Sequence, residues 1–203
     1  MLSTELAKRE DEGNPIRVGI IGAGKFGSGL AAQLMQTPGI SASVVADIDI
    51  ARALYAYTAG GVPESEIATA DSSDAINDAL LAGRPAVTAD ALALAQADLV
   101  DVVVEATGLP NVGARTAYHA IMHGKHVVMV NVEADVVVGP ILRRLADAAG
   151  VIYSLVDGDQ PGVTMNLVEW ARTLGFEIVP AGRGTTLYHD APQGTPESVA
   201  ERF

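Results

Sequence analysis

Three observations in this chain predict an α/β fold built on a mostly parallel sheet. Short apolar, β-branched runs such as Ile16 to Ile21 (IRVGII) alternate with segments of helical spacing. The chain is 49% hydrophobic yet only 4% aromatic, so its core must be aliphatic, as in strands buried on both faces. Between the first run and the first helical segment stands Gly22-Ala23-Gly24-Lys25-Phe26-Gly27. In that setting Gly22 allows a tight turn, Gly24 lets the backbone approach a pyrophosphate, and Gly27 lets the helix pack closely on the strand. The free N–H groups opening the helix then hold the anion. This is the fingerprint of a Rossmann-type doubly wound sheet, and Gly22, Gly24, Lys25, Phe26 and Gly27 are candidate cofactor-binding residues.

The elements follow in order. Residues 1–15 are polar and charged and predict a flexible or weakly helical arm. After the first strand, Lys25 to Gln36 carries Phe26, Leu30 and Leu34 on one helix face and stops at Thr37-Pro38. Ser43 to Ala46 is a second strand ending in Asp47-Ile48-Asp49. Helical patterns follow at Arg52 to Tyr57 and, capped by Ser72 or Ser73, through Leu81. Ala86 to Thr88 is a third strand, Asp90 to Ala97 a small helix and Asp101 to Val104 a fourth strand. Asn111 to His123 is a helix, His126 to Val130 a fifth strand and Ile141 to Ala149 a helix behind Gly139-Pro140. Val151 to Leu155, Thr164 to Leu174 and Glu177 to Pro180 read as strand, helix and a short seventh strand. The cofactor domain is thus expected over 16–184. Residues 185–203, irregular and with little periodic pattern, are expected to open a catalytic domain lying largely beyond Phe203.

Composition excludes several functions. A formal net charge of −12, with no cluster of Lys and Arg, argues against nucleic acid. Without cysteine there are no disulfides, thiolate metal sites or cysteine nucleophile, and no metal site is expected. No apolar signal region opens the chain and no run approaches a membrane span, which predicts a soluble, cytoplasmic protein.

Ligands of open parallel sheets bind outside the carboxyl ends of the strands, and that rule selects the remaining candidates. Asp47, about twenty residues past the glycines, is placed to bond an adenosine ribose, which favours NAD; the alternative is a plain helix N-cap. Arg52 could instead meet a 2′-phosphate, favouring NADP, so both cofactors stay open. The fourth strand delivers Glu105, Ala106, Thr107 and Gly108, whose small residues let a nicotinamide approach the backbone. The fifth delivers Asn131, for the ribose or nicotinamide amide, and Glu133, whose alternative is a helix cap. Asp159 and Gln160 lie in a Gly/Pro-framed loop, and Arg183, between two glycines, suits a substrate carboxylate or phosphate. Glu133, Asp159 and Arg183 are the catalytic candidates and Gln160 a substrate contact. His119, His123 and His126 read as structural, and His189 falls in the irregular tail.

The segments VGIIGAGKFG, VVADID, VVVEATG, HVVMVNVEADVVVGPIL and YSLVDGDQPG together resemble the homoserine dehydrogenase-like oxidoreductases. They are most similar to the branch with a C-terminal SAF-like domain, which includes deoxyxylulose-phosphate reductoisomerase-like enzymes. The resemblance spans about Ile16 to Gly184 and implies an NAD(P)-binding domain followed by a catalytic and dimerisation domain. It departs at Val130-Asn131-Val132-Glu133, where homoserine dehydrogenases carry Thr-Ala-Asn-Lys. It departs again at Gly182-Arg183-Gly184, where the SAF-bearing branch carries Gly-Lys-Gly. The expectation is an NAD(P)-dependent oxidoreductase moving a hydride to or from a small polar substrate, phosphorylated in the sharpest version, and homo-oligomeric at full length. The competing expectation is a non-catalytic NAD(P)-binding module.

Overall fold

The structure is a computed structural model and describes residues 1–158 and 162–182. By its contacts the chain divides into two units, Met1–Val156 and Asp157–Phe203. The first holds a seven-stranded sheet in the order β3-β4-β2-β1-β5-β6-β7, with every neighbouring pair parallel. Its strands are β1 (Ile16–Ile21), β2 (Ile40–Ala46), β3 (Ala68–Thr69), β4 (Ala86–Thr88), β5 (Val102–Glu105), β6 (His126–Met129) and β7 (Tyr153–Leu155). The chain builds outward from β1 through β2 to β4, then returns to the other flank of β1 with β5. That reversal leaves a crevice between the carboxyl ends of β1 and β5.

Helices cover both faces, which is why the strands are nearly continuous apolar runs. On one face Ile20, Val45 and Val104 pack with Ala31 of α2 (Lys25–Leu34) and with Ala53 and Tyr57 of α3 (Ile50–Thr58). On the other, Ile21, Val44, Val103 and Met129 pack with four helices. These are α4 (Ser73–Leu81), α5 (Ala91–Gln96), α6 (Pro110–Met122) and α7 (Val132–Ala149), contributing Ile76, Leu94, Ile121 and Leu142.

The N-terminal arm takes the helical of its two expected forms, and three other expectations change. Residues 2–11 form a helix, α1 (Leu2–Asp11), with no buried residue; it is tied down where Glu10 Oε2 accepts from the Gly39 N–H at 2.8 Å. Helix α7 starts nine residues before Ile141, because Asn131 caps it through a bond from the Ala134 N–H (3.0 Å) and the helix runs through Pro140. Strand β3 is new, pairing only Ala68 and Thr69 with β4. Residues Glu177 to Pro180 form no strand. That run ends in a proline, which has no N–H for a ladder, and follows Gly175, whose φ of +85° turns the chain after α8 (Gly162–Thr173). Among the described residues no helix is long and apolar enough to cross a membrane.

Candidate functional site

The crevice at the strand reversal opens into a cleft of about 710 Å³. One wall is the glycine loop. Gly22 ends β1 with φ +99°, and a Cβ there would stand 2.8 Å from the Ala106 carbonyl oxygen. A Cβ on Gly27 would stand 1.9 Å from the Gly22 carbonyl oxygen, so α2 can lie this close only on a glycine. Gly24 is different, since a Cβ there meets nothing within 4 Å and would project into open space. It is the N-cap of α2, with no side-chain cap and no acidic residue in the first turn. The first N–H groups of α2 are left for an external anion.

Asp47 stands at the end of β2 and lines the cleft. Its Oδ2 accepts from the Ala23 N–H at 2.8 Å and its Oδ1 from the Asp49 N–H at 2.9 Å, so it anchors the glycine loop from the neighbouring strand. The cap of α3 is Asp49, which accepts from the Ala51 N–H at 3.0 Å. Arg52 also lines the cleft and meets Asp49 at 3.6 Å in an exposed pair.

The opposite wall is the loop after β5, where Ala106 and Thr107 face the glycine loop and Gly108 turns the chain with φ +69°. Behind it Glu105 is fully buried. Its Oε1 accepts from both the N–H and the hydroxyl of Thr107, while Oε2 has no hydrogen-bond partner among the described residues. Burial pushes this carboxyl above the usual range, against the pull of Thr107 and of the Asn131 amide. Asn131, 2% exposed, lies behind the same loop; besides capping α7 it donates from Nδ2 to the Leu109 carbonyl at 3.0 Å. Deeper still, Tyr153 donates its hydroxyl to Asp135 at 2.7 Å; burial and that carboxylate push the phenol up.

Gly22, Gly24, Asp47, Arg52, Ala106 and Thr107 are therefore gathered on one cleft. Lys25 and Phe26 line a separate shallow depression with Leu30. Glu133 is exposed in the first turn of α7, outside the cleft. Asp159, Gln160 and Arg183 lie outside the described residues. Sequence reasoning missed the far end of the cleft, formed by Ala89, Asp90 and Leu92 after β4 and by Asn111 and Arg115 of α6. Applying the carboxyl-end rule to β4 leads to Ala89 and Asp90, and the i, i+4 spacing of Asn111 and Arg115 puts them on one helix face. Among the described residues no group of three or more His, Asp or Glu is placed to hold a metal ion.

These features fit a dinucleotide: an uncapped helix N-terminus, a glycine with open space before it and a carboxylate at the second strand end. Residues 22–155 match the sequence model of the homoserine dehydrogenase NAD-binding domain. The chain belongs to that family. Its cofactor is NAD or NADP. Residues 158–203 match a second model, the catalytic domain of oxidoreductase DRL. No curated protein matches the sequence.

Among solved structures, a homoserine dehydrogenase from Thiobacillus denitrificans is 22% identical, with TM-score 0.51 over 70% of this chain and 29% of that one. An NAD binding oxidoreductase from Klebsiella pneumoniae is 20% identical, with TM-score 0.52 over 79% of this chain and 39% of that one. A myo-inositol 2-dehydrogenase from Lactobacillus plantarum is 12% identical, with TM-score 0.52 over 78% and 42%. The likeness is one of fold, and the chain spans less than half the length of each.

Proposed function

We infer that this chain is the cofactor domain of an NAD(P)-dependent oxidoreductase that transfers hydride to or from a small polar substrate, with reductoisomerase-like chemistry on a phosphorylated substrate as its sharpest form. The observation that carries this reading is the glycine loop facing Ala106 and Thr107 across the cleft, with Asp47 at its end. When bound, the nicotinamide cofactor supplies the hydride chemistry. In this reading Gly22, Gly24 and Gly27 receive the pyrophosphate at α2, Asp47 meets the adenosine ribose, and the Ala106–Gly108 loop flanks the nicotinamide end. Asn131 holds that loop from behind. Glu133, Asp159, Gln160 and Arg183 remain the substrate-side candidates, and the match of residues 158–203 to a catalytic domain supports placing substrate chemistry there. A cytoplasmic location and a homo-oligomeric full-length form belong to the same proposal.

Calorimetric titration with NADH and, separately, NADPH tests it. Binding of one or both is expected, and binding of neither overturns it. In Asp47→Ala the glycine loop loses its bond from the Ala23 N–H and the turn before α3 loses that from the Asp49 N–H, so both affinities fall, and NAD falls further because only its ribose offers the 2′-hydroxyl to a carboxylate. Equal losses would leave Asp47 an anchor of the loop and nothing more.

A further inference from the structure

We propose that Glu105 is a positioning residue for the dinucleotide, holding residues 106–109 in the conformation that faces Gly22; this rests on the cofactor reading above. Its Oε1 takes both donors of Thr107, the N–H at 3.1 Å and the hydroxyl. The Thr107 Oγ1 accepts in turn from the Leu109 N–H at 3.3 Å and the Asn131 Nδ2 at 3.4 Å. One buried acid thus fixes the loop at 107 and, through that hydroxyl, at 109. The same loop carries Ala106, whose N–H donates to Ile21 at 2.8 Å and whose carbonyl abuts Gly22. A shift of Thr107 therefore alters the wall opposite the phosphate loop.

Two local costs converge on this side chain. Its Oε2 is buried without a partner among the described residues, and a well-packed apolar group of similar volume would avoid that penalty. Helix α6 carries Gly113 where it passes the carboxylate; a Cβ there would stand 2.8 Å from Oε2 and 2.7 Å from Asn131 Nδ2. Glycine inside a helix is unfavourable. A core that needed only filling would use neither device. What the carboxylate provides that an apolar residue does not is an acceptor for Thr107.

The test separates positioning from packing by measuring melting temperature and NADH and NADPH affinity for the wild-type chain and three variants. Glu105→Gln keeps an oxygen for Thr107 and is expected to bind within about threefold of wild type. Glu105→Met keeps the volume and removes both the acceptor and the orphaned oxygen. It is expected to melt at or above the wild-type temperature yet bind about tenfold more weakly, the loss expected of a broken anchor. Thr107→Val preserves shape, deletes the hydroxyl bridge between Glu105 and Asn131, and is expected to bind more weakly than wild type even if Glu105→Met does not fold. Wild-type affinity in either Glu105→Met or Thr107→Val overturns the proposal. A wild-type chain that binds neither nucleotide overturns the cofactor reading itself, and the positioning role with it.

Discussion

Gly24 and Gly27 lie three residues apart and answer to different demands. At Gly27 the demand is internal, since a Cβ would collide with the Gly22 carbonyl at 1.9 Å. Gly27→Ala must push α2 away from β1, and strain of that kind costs on the order of 1–3 kcal/mol. At Gly24 the fold makes no such demand, because the space before it is open. Gly24→Val is therefore expected to lose no more than about 1 kcal/mol, the usual difference between glycine and an apolar residue at an N-cap. It should nonetheless lose NAD(P) binding, because the isopropyl group stands where the pyrophosphate would approach. Thermal melting and titration of the two variants should split cleanly, one losing stability and the other affinity. Undiminished binding by Gly24→Val would remove the glycine loop from the site.

At the scale of elements, α7 gives the sharpest contrast between local signals and tertiary structure. Gly139-Pro140 is a breaker pair, yet the helix passes through it. Asn131 caps the start, and Ala134, Leu142 and Ala146 bury one face, which outweighs one missing backbone bond. Pro140→Ala restores the N–H that can bond the Val136 carbonyl, and is expected to stabilise the protein by about 1–3 kcal/mol, read as a higher melting temperature. A lower one would mean that the proline sets a bend the packing requires. The strands that surround the site were legible for the opposite reason: Val18, Ile20, Val103 and Val127 lie in short β-branched runs whose burial needs no knowledge of neighbours. Two residues at Ala68–Thr69 are too few to show any period, and Glu177 to Pro180 had the composition of a strand but closes on a residue with no N–H for a ladder. The place of Gly22, Gly24 and Asp47 on the cleft was legible because their spacing sets them at the carboxyl ends of neighbouring strands. The role of Glu105 was not. It depends on Thr107 being two residues away, on Gly113 making room and on Asn131 closing from behind, and only the folded chain brings those three together.

At the scale of the whole molecule, the sheet and the cleft at its carboxyl edge lie within one unit. Among the described residues, both apolar clusters lie between Ile16 and Tyr153, and every residue lining the cleft lies between Ile21 and Thr116. The match to the NAD-binding family ends at residue 155, one short of the boundary of the first unit at Val156. A domain of that size buries roughly two thirds of the surface its unfolded chain exposes, enough to stand alone. The proposed substrate-side residues Asp159, Gln160 and Arg183 all come after that boundary, and Glu133 alone precedes it. The two tasks are thus largely divided along the chain, nucleotide before Val156 and most of the substrate side after it. Such a division is expected where one fold serves many chemistries by changing the sites grafted onto it. A chain ending at Val156 is therefore expected to unfold in a single cooperative transition and to bind NADH or NADPH within about threefold of the 203-residue chain, a difference under 1 kcal/mol. Calorimetric melting and titration of the shortened chain would check both. Retained folding with lost binding would place part of the nucleotide site beyond Val156 and overturn the division.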